Sequence, residues 1–393
     1  MKIFSLLLIL GFCQYDLVAQ KAICGNDLIF HKSSLPFQNS FDSCIAHYIS
    51  IKNTQNRAEI TIPIVVHIVW KNIKENISDE SVISQINALN RDYNAENDDI
   101  KNVPNEFKSI VGNIGIHFCL AANDSKGNPT TSIIRIQTNK DEIGLSDDLY
   151  STEKGGSDAW NINQYLNIWV ANTGNYVSGL GSYPNQPQSE KTGIVIHPKY
   201  FGTNTSLKYG FGRVATHEIG HYLGLKHLWG DNSDCGIGDE VADTPSQKQA
   251  YKNCPSYPQK NCSDSEMFMN FMDYVDDPCM IMFTKGQKER MLATIMLFRN
   301  GLLDNNTTCL VSEQTDESLL SIYPNPSDGF FDCSFISIAP MGIVYYEIYD
   351  STGKLIKREN KLVNQTFSLD LYDLPKGLYF LKMKTKIYKL IKT

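Results

Sequence analysis

Apolar and polar positions fall into two kinds of repeat along this chain. Residues 60–70, ITIPIVVHIVW, are rich in β-branched side chains and predict a strand, and similar short runs at 115–121, 132–137, 166–171 and 193–197 predict more. Residues 78–94 follow the helical period instead. Ser78 suits the N-cap, Asp79 and Glu80 the first turn, and Val82, Ile86, Leu89 and Tyr93 form one apolar stripe, as in an amphipathic helix backing a sheet. A second helical pattern covers about 208–223 and a third about 284–299, with a loop-rich stretch after 224. Residues 20–58 are polar with little periodicity, which suggests a pro-segment or flexible lead-in. Past Cys309 the pattern alternates between turn signals, predicting a small antiparallel β domain.

The N-terminal run from Ile3 to Cys13 is too short to span a bilayer, which needs about 20 apolar residues. It fits the apolar core of a secretory signal peptide cleaved near Ala19, and no later segment is apolar enough to cross a membrane. The expectation is therefore a secreted, extracellular protein, taken as a monomer. The 393 residues carry a formal charge of −7 and are 42% hydrophobic, which excludes a disordered or fibrous chain and argues against nucleic-acid binding. Residues 354–393 hold ten Lys/Arg against three Asp/Glu, a balance that a solvated face of a small domain explains. Of ten cysteines, nine follow the signal, and four lie between Cys235 and Cys279. Clustered cysteines in an exported chain usually pair, and the odd total leaves at least one free thiol.

The strongest chemical signal is His217-Glu218-Ile219-Gly220-His221-Tyr222-Leu223-Gly224-Leu225-Lys226-His227. On a helix, positions i and i+4 share a face, so His217 and His221 present two imidazoles to one metal. Gly224 suits a sharp helix end, after which His227 supplies a third nitrogen. Three histidines leave one position of a tetrahedral zinc open to water, and Glu218 stands beside it. A structural zinc site would favour cysteine ligands and fill all four positions.

This stretch and Phe268-Met269-Asn270-Phe271-Met272-Asp273-Tyr274 together resemble the metzincin metalloproteases. CGIGDEVADTP, the four clustered cysteines and MFMNFMDYVDDPCMIMFTKGQ resemble the short bacterial members of the pappalysin family over about residues 58–305. The resemblance implies an α+β fold: a metzincin-type catalytic domain with a twisted mixed sheet, a backing helix, an active-site helix and a Met-turn, followed here by a small β-sandwich. It implies a zinc-dependent endopeptidase acting on proteins and peptides, with His217, His221 and His227 as zinc ligands and Glu218 as general base. Met272 becomes the Met-turn residue and Tyr274 a donor to the developing oxyanion. The implied disulfides are Cys235–Cys262 and Cys254–Cys279. Asp239, Asp243 and Thr244 resemble a calcium site, and hard oxygen ligands suit that ion. Asp277 matches an acid that selects Arg, then Lys, just after the scissile bond. Arg57 fits self-cleavage after Asn56 on that preference.

Cys24 lies in the pro-segment. Its thiolate is expected either to fill the open zinc position as a zymogen switch or to pair with Cys44. The segments SIYPNPSDG (321–329), IYDSTGKLI (348–356) and LPKGLYFLKM (374–383) resemble the C-terminal sorting domain of the type IX secretion system, making that machinery a partner. The expected organisation is a signal peptide at 1–19, a pro-segment at 20–56, a catalytic domain at 57–310 and a sorting domain at 318–393. The competing reading is a non-catalytic adhesin on the same scaffold. Glu218 and Tyr274, both present, speak against it.

Overall fold

A computed structural model of the chain describes residues 24, 35–51, 59–175, 177–185, 187–204, 209–230, 235–303, 309–310, 320–335, 342–363, 366–383 and 386–393. The expected signal peptide and the Asn56–Arg57 bond lie outside the described residues. Among the described residues no helix is long and apolar enough to cross a membrane.

Strand β1 (Ile60–Trp70) is the spine of a six-stranded sheet. One edge of it is shared: β2 (Ile116–Leu120) runs parallel to its first half and β3 (Ile133–Gln137) to its second. On the other side come β4 (Leu166–Ala171), then β6 (Ile194–Ile196), and at the edge the antiparallel β5 (Gly179–Gly181). With strands on both sides and cover on both faces, β1 is apolar nearly throughout, as a parallel central strand must be. Its one buried imidazole, His67, bonds Ser157 Oγ at 2.8 Å and Asn167 Oδ1 at 3.0 Å, and burial pushes it down to about 4.

Helix α2 (Asp79–Tyr93) starts as its sequence predicts, with Ser78 accepting from the Ser81 N–H at 3.3 Å. Its stripe of Val82, Ile86, Leu89 and Tyr93 is buried against the sheet and against α3 (Arg213–Tyr222). Helix α3 is shorter than the 208–223 pattern, because Gly212 at φ 81° takes a left-handed conformation that stops the helix from extending backwards. Helix α4 (Lys285–Phe298) opens on a capping box of Thr284 and Gln287.

Two features depart from expectation. The polar stretch 20–58, expected to be a pro-segment or a flexible lead-in, carries a helix where it is described: residues Leu35–Ile51 form α1, with Phe41 and Ile45 buried against Tyr183, Ala293 and Phe298. Its sequence shows little amphipathic contrast because only a narrow stripe docks, fixed by Asp42, which pairs with Arg290 and, at 2.8 Å, with Lys226. Strand β5 is three residues of Gly-Leu-Gly, too short for an alternation signal.

Beyond residue 320, β7 (Leu320–Tyr323), β8 (Phe330–Phe335) and β11 (Thr366–Asp370) form one antiparallel sheet. Strands β9 (Gly342–Asp350), β10 (Leu355–Val363), β12 (Gly377–Met383) and β13 (Lys386–Lys392) form another. Phe331, Tyr346, Ile348, Leu369, Leu381 and Leu390 fill the core between them, so the predicted β-sandwich is observed. The penultimate residue, Lys392, turns inward and donates to the carbonyls of Leu371, Tyr372 and Leu374.

Candidate metal centre

Helix α3 is anchored at its start by Asp277, whose Oδ2 accepts from the N–H groups of Phe211 (2.9 Å) and Arg213 (3.2 Å). At its end the Leu223 N–H bonds Ile219 O, Gly224 N–H bonds His221 O and Leu225 N–H bonds Gly220 O. Gly224 sits at φ +86°, and a Cβ there would lie 2.5 Å from Thr294 Oγ1, so both backbone and packing require glycine. The tight turn swings His227 back over the helix.

The three imidazoles converge. His221 Nε2 lies 3.1 Å from His217 Nε2 and 3.0 Å from His227 Nε2. His217 Nδ1 donates to Phe271 O at 2.7 Å and His221 Nδ1 to Leu225 O at 2.8 Å. Carbonyls only accept, so both rings carry hydrogen on Nδ1 and a lone pair on Nε2. Lone pairs aimed at one another repel unless a cation lies among them. Their separations are close to the roughly 3.3 Å expected between nitrogens on a tetrahedral zinc with bonds of about 2.0–2.1 Å. Burial pushes His217 down to about 4; burial and the neighbouring imidazoles push His221 and His227 well below their usual value. All three are held neutral, the form that ligates a metal.

Around them stand the other groups. Met272 is fully buried beneath the helix, where a Cβ on Gly220 would meet its sulfur at 2.5 Å. The Tyr274 hydroxyl is 3.1 Å from His227 Nε2. Glu218 is buried, with Oε2 3.5 Å from Cys24 Sγ. Cys24 joins edge strand β5 through a parallel bridge to Gly179. Its sulfur and the three imidazoles offer ligand atoms all within 4.8 Å of one another, the one such cluster among the described residues.

The pregnancy-associated plasma protein-A peptidase family matches residues 150–296, and the secretion system C-terminal sorting domain matches 321–393. Promirolysin from Tannerella forsythia, a point mutant, superposes with a TM-score of 0.66 at 37% identity, covering 72% of this chain and 97% of that one. Mature mirolysin of the same organism, in complex with a cleaved peptide, gives 0.61 at 42% identity over 63% and 97%. An extracellular metalloprotease of Arthroderma otae is 29% identical over 250 residues, 62% of this chain and 81% of its own length. The chain belongs to the pappalysin family. It is a metalloendopeptidase with a type IX sorting tail, exported to the extracellular space, and its activity depends on a catalytic metal.

Other predicted residues in this pappalysin lie in several settings. Cys235–Cys262 and Cys254–Cys279 are bonded. A third disulfide, Cys119–Cys309, for which the sequence offered no pairing, ties β2 to the end of the catalytic region. Cys24 and Cys44 are not bonded to each other. Asp239 Oδ1 accepts from Thr244 Oγ1 at 2.6 Å, and its Oδ2 is buried without a hydrogen-bond partner among the described residues. Burial pushes that carboxyl up to about 7. Asp243 is drawn elsewhere, accepting from Thr284 Oγ1 (2.6 Å) and the Gly286 N–H (2.8 Å) at the start of α4. Asp277 is fully buried, with Oδ1 likewise unpartnered.

Sequence reasoning missed two supports of the centre. Asp273 Oδ1 accepts from the Tyr274 N–H at 2.6 Å and the Tyr251 N–H at 2.8 Å, fixing the backbone that presents the phenol. Gly179 and Gly181 lie directly over α3: a Cβ on Gly179 would meet Glu218 Cγ at 2.7 Å, and one on Gly181 would meet Glu218 O at 2.4 Å. No alternation marks so short a strand.

Proposed function

We propose that His217, His221 and His227 hold one zinc ion and that Glu218 and Tyr274 carry out peptide hydrolysis beside it. Bound there, zinc supplies Lewis acidity, lowering the pKa of a water molecule to about 7 and polarising the scissile carbonyl. Glu218 takes the proton from the attacking water and returns it to the leaving amine. The Tyr274 hydroxyl donates to the carbonyl oxygen as that atom gains negative charge. The observation that carries this reading is the convergence of Nε2 atoms whose tautomers are fixed by Phe271 O and Leu225 O.

Asp277 is the acid that selects Arg, then Lys, just after the scissile bond. Its unpartnered Oδ1 supports the assignment, because an incoming guanidinium satisfies a buried carboxylate oxygen that otherwise lacks a donor. Cys24 keeps the zymogen silent by occupying the fourth position at the histidines, a reading supported by its place in the same cluster. Asp239 and Thr244 contribute to a calcium site, supported by the Asp239 Oδ2 that lacks a partner among the described residues, whereas Asp243, sequestered by Thr284 and Gly286, stays out of it. Residues 1–19 are the signal, 20–56 the pro-segment removed by a cut after Asn56, 57–310 the protease and 318–393 the export address.

Casein digestion by the processed protein tests the zinc chemistry. Activity is expected to disappear with a zinc chelator and return on adding zinc. Proteolysis that survives chelation rules the mechanism out.

A further inference from the structure

Three carboxylates surround one guanidinium at the start of helix α3. Arg213 donates from Nη1 to Asp99 Oδ2 at 2.6 Å and from Nη2 to Asp99 Oδ1 at 2.8 Å, a fork-on-fork pair. Nη2 also approaches Asp92 Oδ1 at 3.5 Å, and Nη1 donates to the backbone carbonyl of Asp277 at 2.7 Å. The Asp277 carboxylate receives nothing from that guanidinium. Among the described residues it accepts only the two backbone N–H groups of Phe211 and Arg213, and Oδ1 has no partner although Arg213 Nε also lacks one.

Asp99 is what holds the guanidinium in this pose. The Asn97 side chain donates to Asp99 Oδ1 at 2.6 Å, and the same amide donates to Ile281 O at 3.1 Å, so Asp99 is itself aimed. Despite partial burial, the pair with Arg213 and the Asn97 bond keep the Asp99 carboxyl below its usual range. Asp92 is the weaker partner, pushed up to about 6 by burial and already bonded to Thr216 Oγ1 at 2.8 Å.

We infer that Asp99 determines cleavage specificity by engaging Arg213 bidentately and so keeping that guanidinium off the Asp277 carboxylate, which is left for a basic substrate side chain. The inference rests on the reading of Asp277 as the pocket acid. Without Asp99, Arg213 is one of the nearest cations to Asp277 and becomes an internal competitor for the substrate's Arg or Lys. Asp99 is thus a positioning residue, and its effect belongs in the ratio between substrates, not in the rate common to all of them.

Peptide-library cleavage profiled by mass spectrometry on the processed enzyme tests this with Asp99→Asn, Asp99→Glu and Asp277→Asn. For Asp99→Asn the preference for Arg and Lys over neutral residues after the scissile bond should fall about tenfold, the weight of one charge-assisted hydrogen bond. Cleavage before neutral residues should persist at its original rate, and Asp99→Glu should restore the preference. Each ratio is internal to one preparation, so a lower folded fraction cancels, and Asp99→Ser is a second variant should Asp99→Asn not be secreted. If Asp277→Asn abolishes the preference and both neutral Asp99 variants keep it, the inference fails and the pocket assignment stands. If Asp277→Asn itself keeps the preference, the pocket assignment fails and the inference with it.

Discussion

The carboxylate of Glu218 has little room on its upper side, where Gly179 faces it. A methyl group there would sit 2.7 Å from Glu218 Cγ and 2.9 Å from Oε1, so Gly179→Ala must push either the strand or Glu218 aside. Misplacing a catalytic group by about 1 Å costs on the order of 100-fold. Gly179→Ala should therefore lose about 100-fold in kcat while keeping its metal, measured by peptide hydrolysis alongside metal content. Asp277 yields a second residue-scale expectation. Burial pushes its carboxyl up to about 6, with the Phe211 and Arg213 N–H groups opposing. Only the ionised form attracts a guanidinium, so selectivity for Arg over neutral side chains should rise from pH 5 to pH 7. A ratio of cleavage rates constant across that range contradicts the role given to Asp277.

At the scale of elements, helix α1 and Cys24 would hold the proposed pro-segment at two separate points. Cys24 lies at the histidines, while α1 docks Phe41 and Ile45 beside α4 and sets Asp42 between Arg290 and Lys226. Burial opposes ionisation of Asp42, but those two cations hold it below the usual carboxylate range. Asp42→Ala leaves two nearly buried cations with Glu240 as their remaining acidic partner among the described residues, 3.1 Å from Lys226 and 3.7 Å from Arg290. Breaking such a buried pair costs about 3 kcal/mol. Asp42→Ala should thus loosen the proposed pro-segment and speed maturation, while Cys24→Ala should give activity before any cut. Activity of uncut zymogen on a short peptide separates the two, and full latency in Cys24→Ala would remove the switch from this account.

The long periodic elements were legible at this scale: β1, α2 and α4 lie within a residue or two of their sequence patterns. Their burial is wide enough to dictate every third or second residue. Strand β5 was not legible, because its two glycines are chosen by contact with a helix about 40 residues later in the chain. Helix α1 was not legible either, since a long-range ion pair and two apolar side chains hold it in place of an apolar stripe of its own.

Across the whole molecule, the chemistry was far more legible than its supports. The histidines, Glu218, Met272 and Tyr274 announce themselves by fixed spacing along one helix and one turn, and the structure brings them within reach of one another. The groups that hold them belong to distant parts of the chain: Asp273 grips Tyr251, Asp99 grips Arg213, and Cys119 is bonded to Cys309 across 190 residues. No local pattern encodes such pairs, because each is satisfied only after the sheet and helices have packed. The Cys119–Cys309 disulfide precedes the sorting sandwich in the chain. It fastens the catalytic region at residue 309, before the sorting sandwich begins at β7, so the protease keeps its closing bond whether or not the sandwich remains attached.

Zinc content per chain, measured by mass spectrometry on purified Glu218→Ala and Glu218→Ala/His221→Ala proteins, tests the central assignment most directly, because neither variant is expected to digest itself. The account predicts one zinc in the first protein and none in the second. Zinc retained at full stoichiometry after His221 is removed, or absent from the protein with all three histidines, would contradict it.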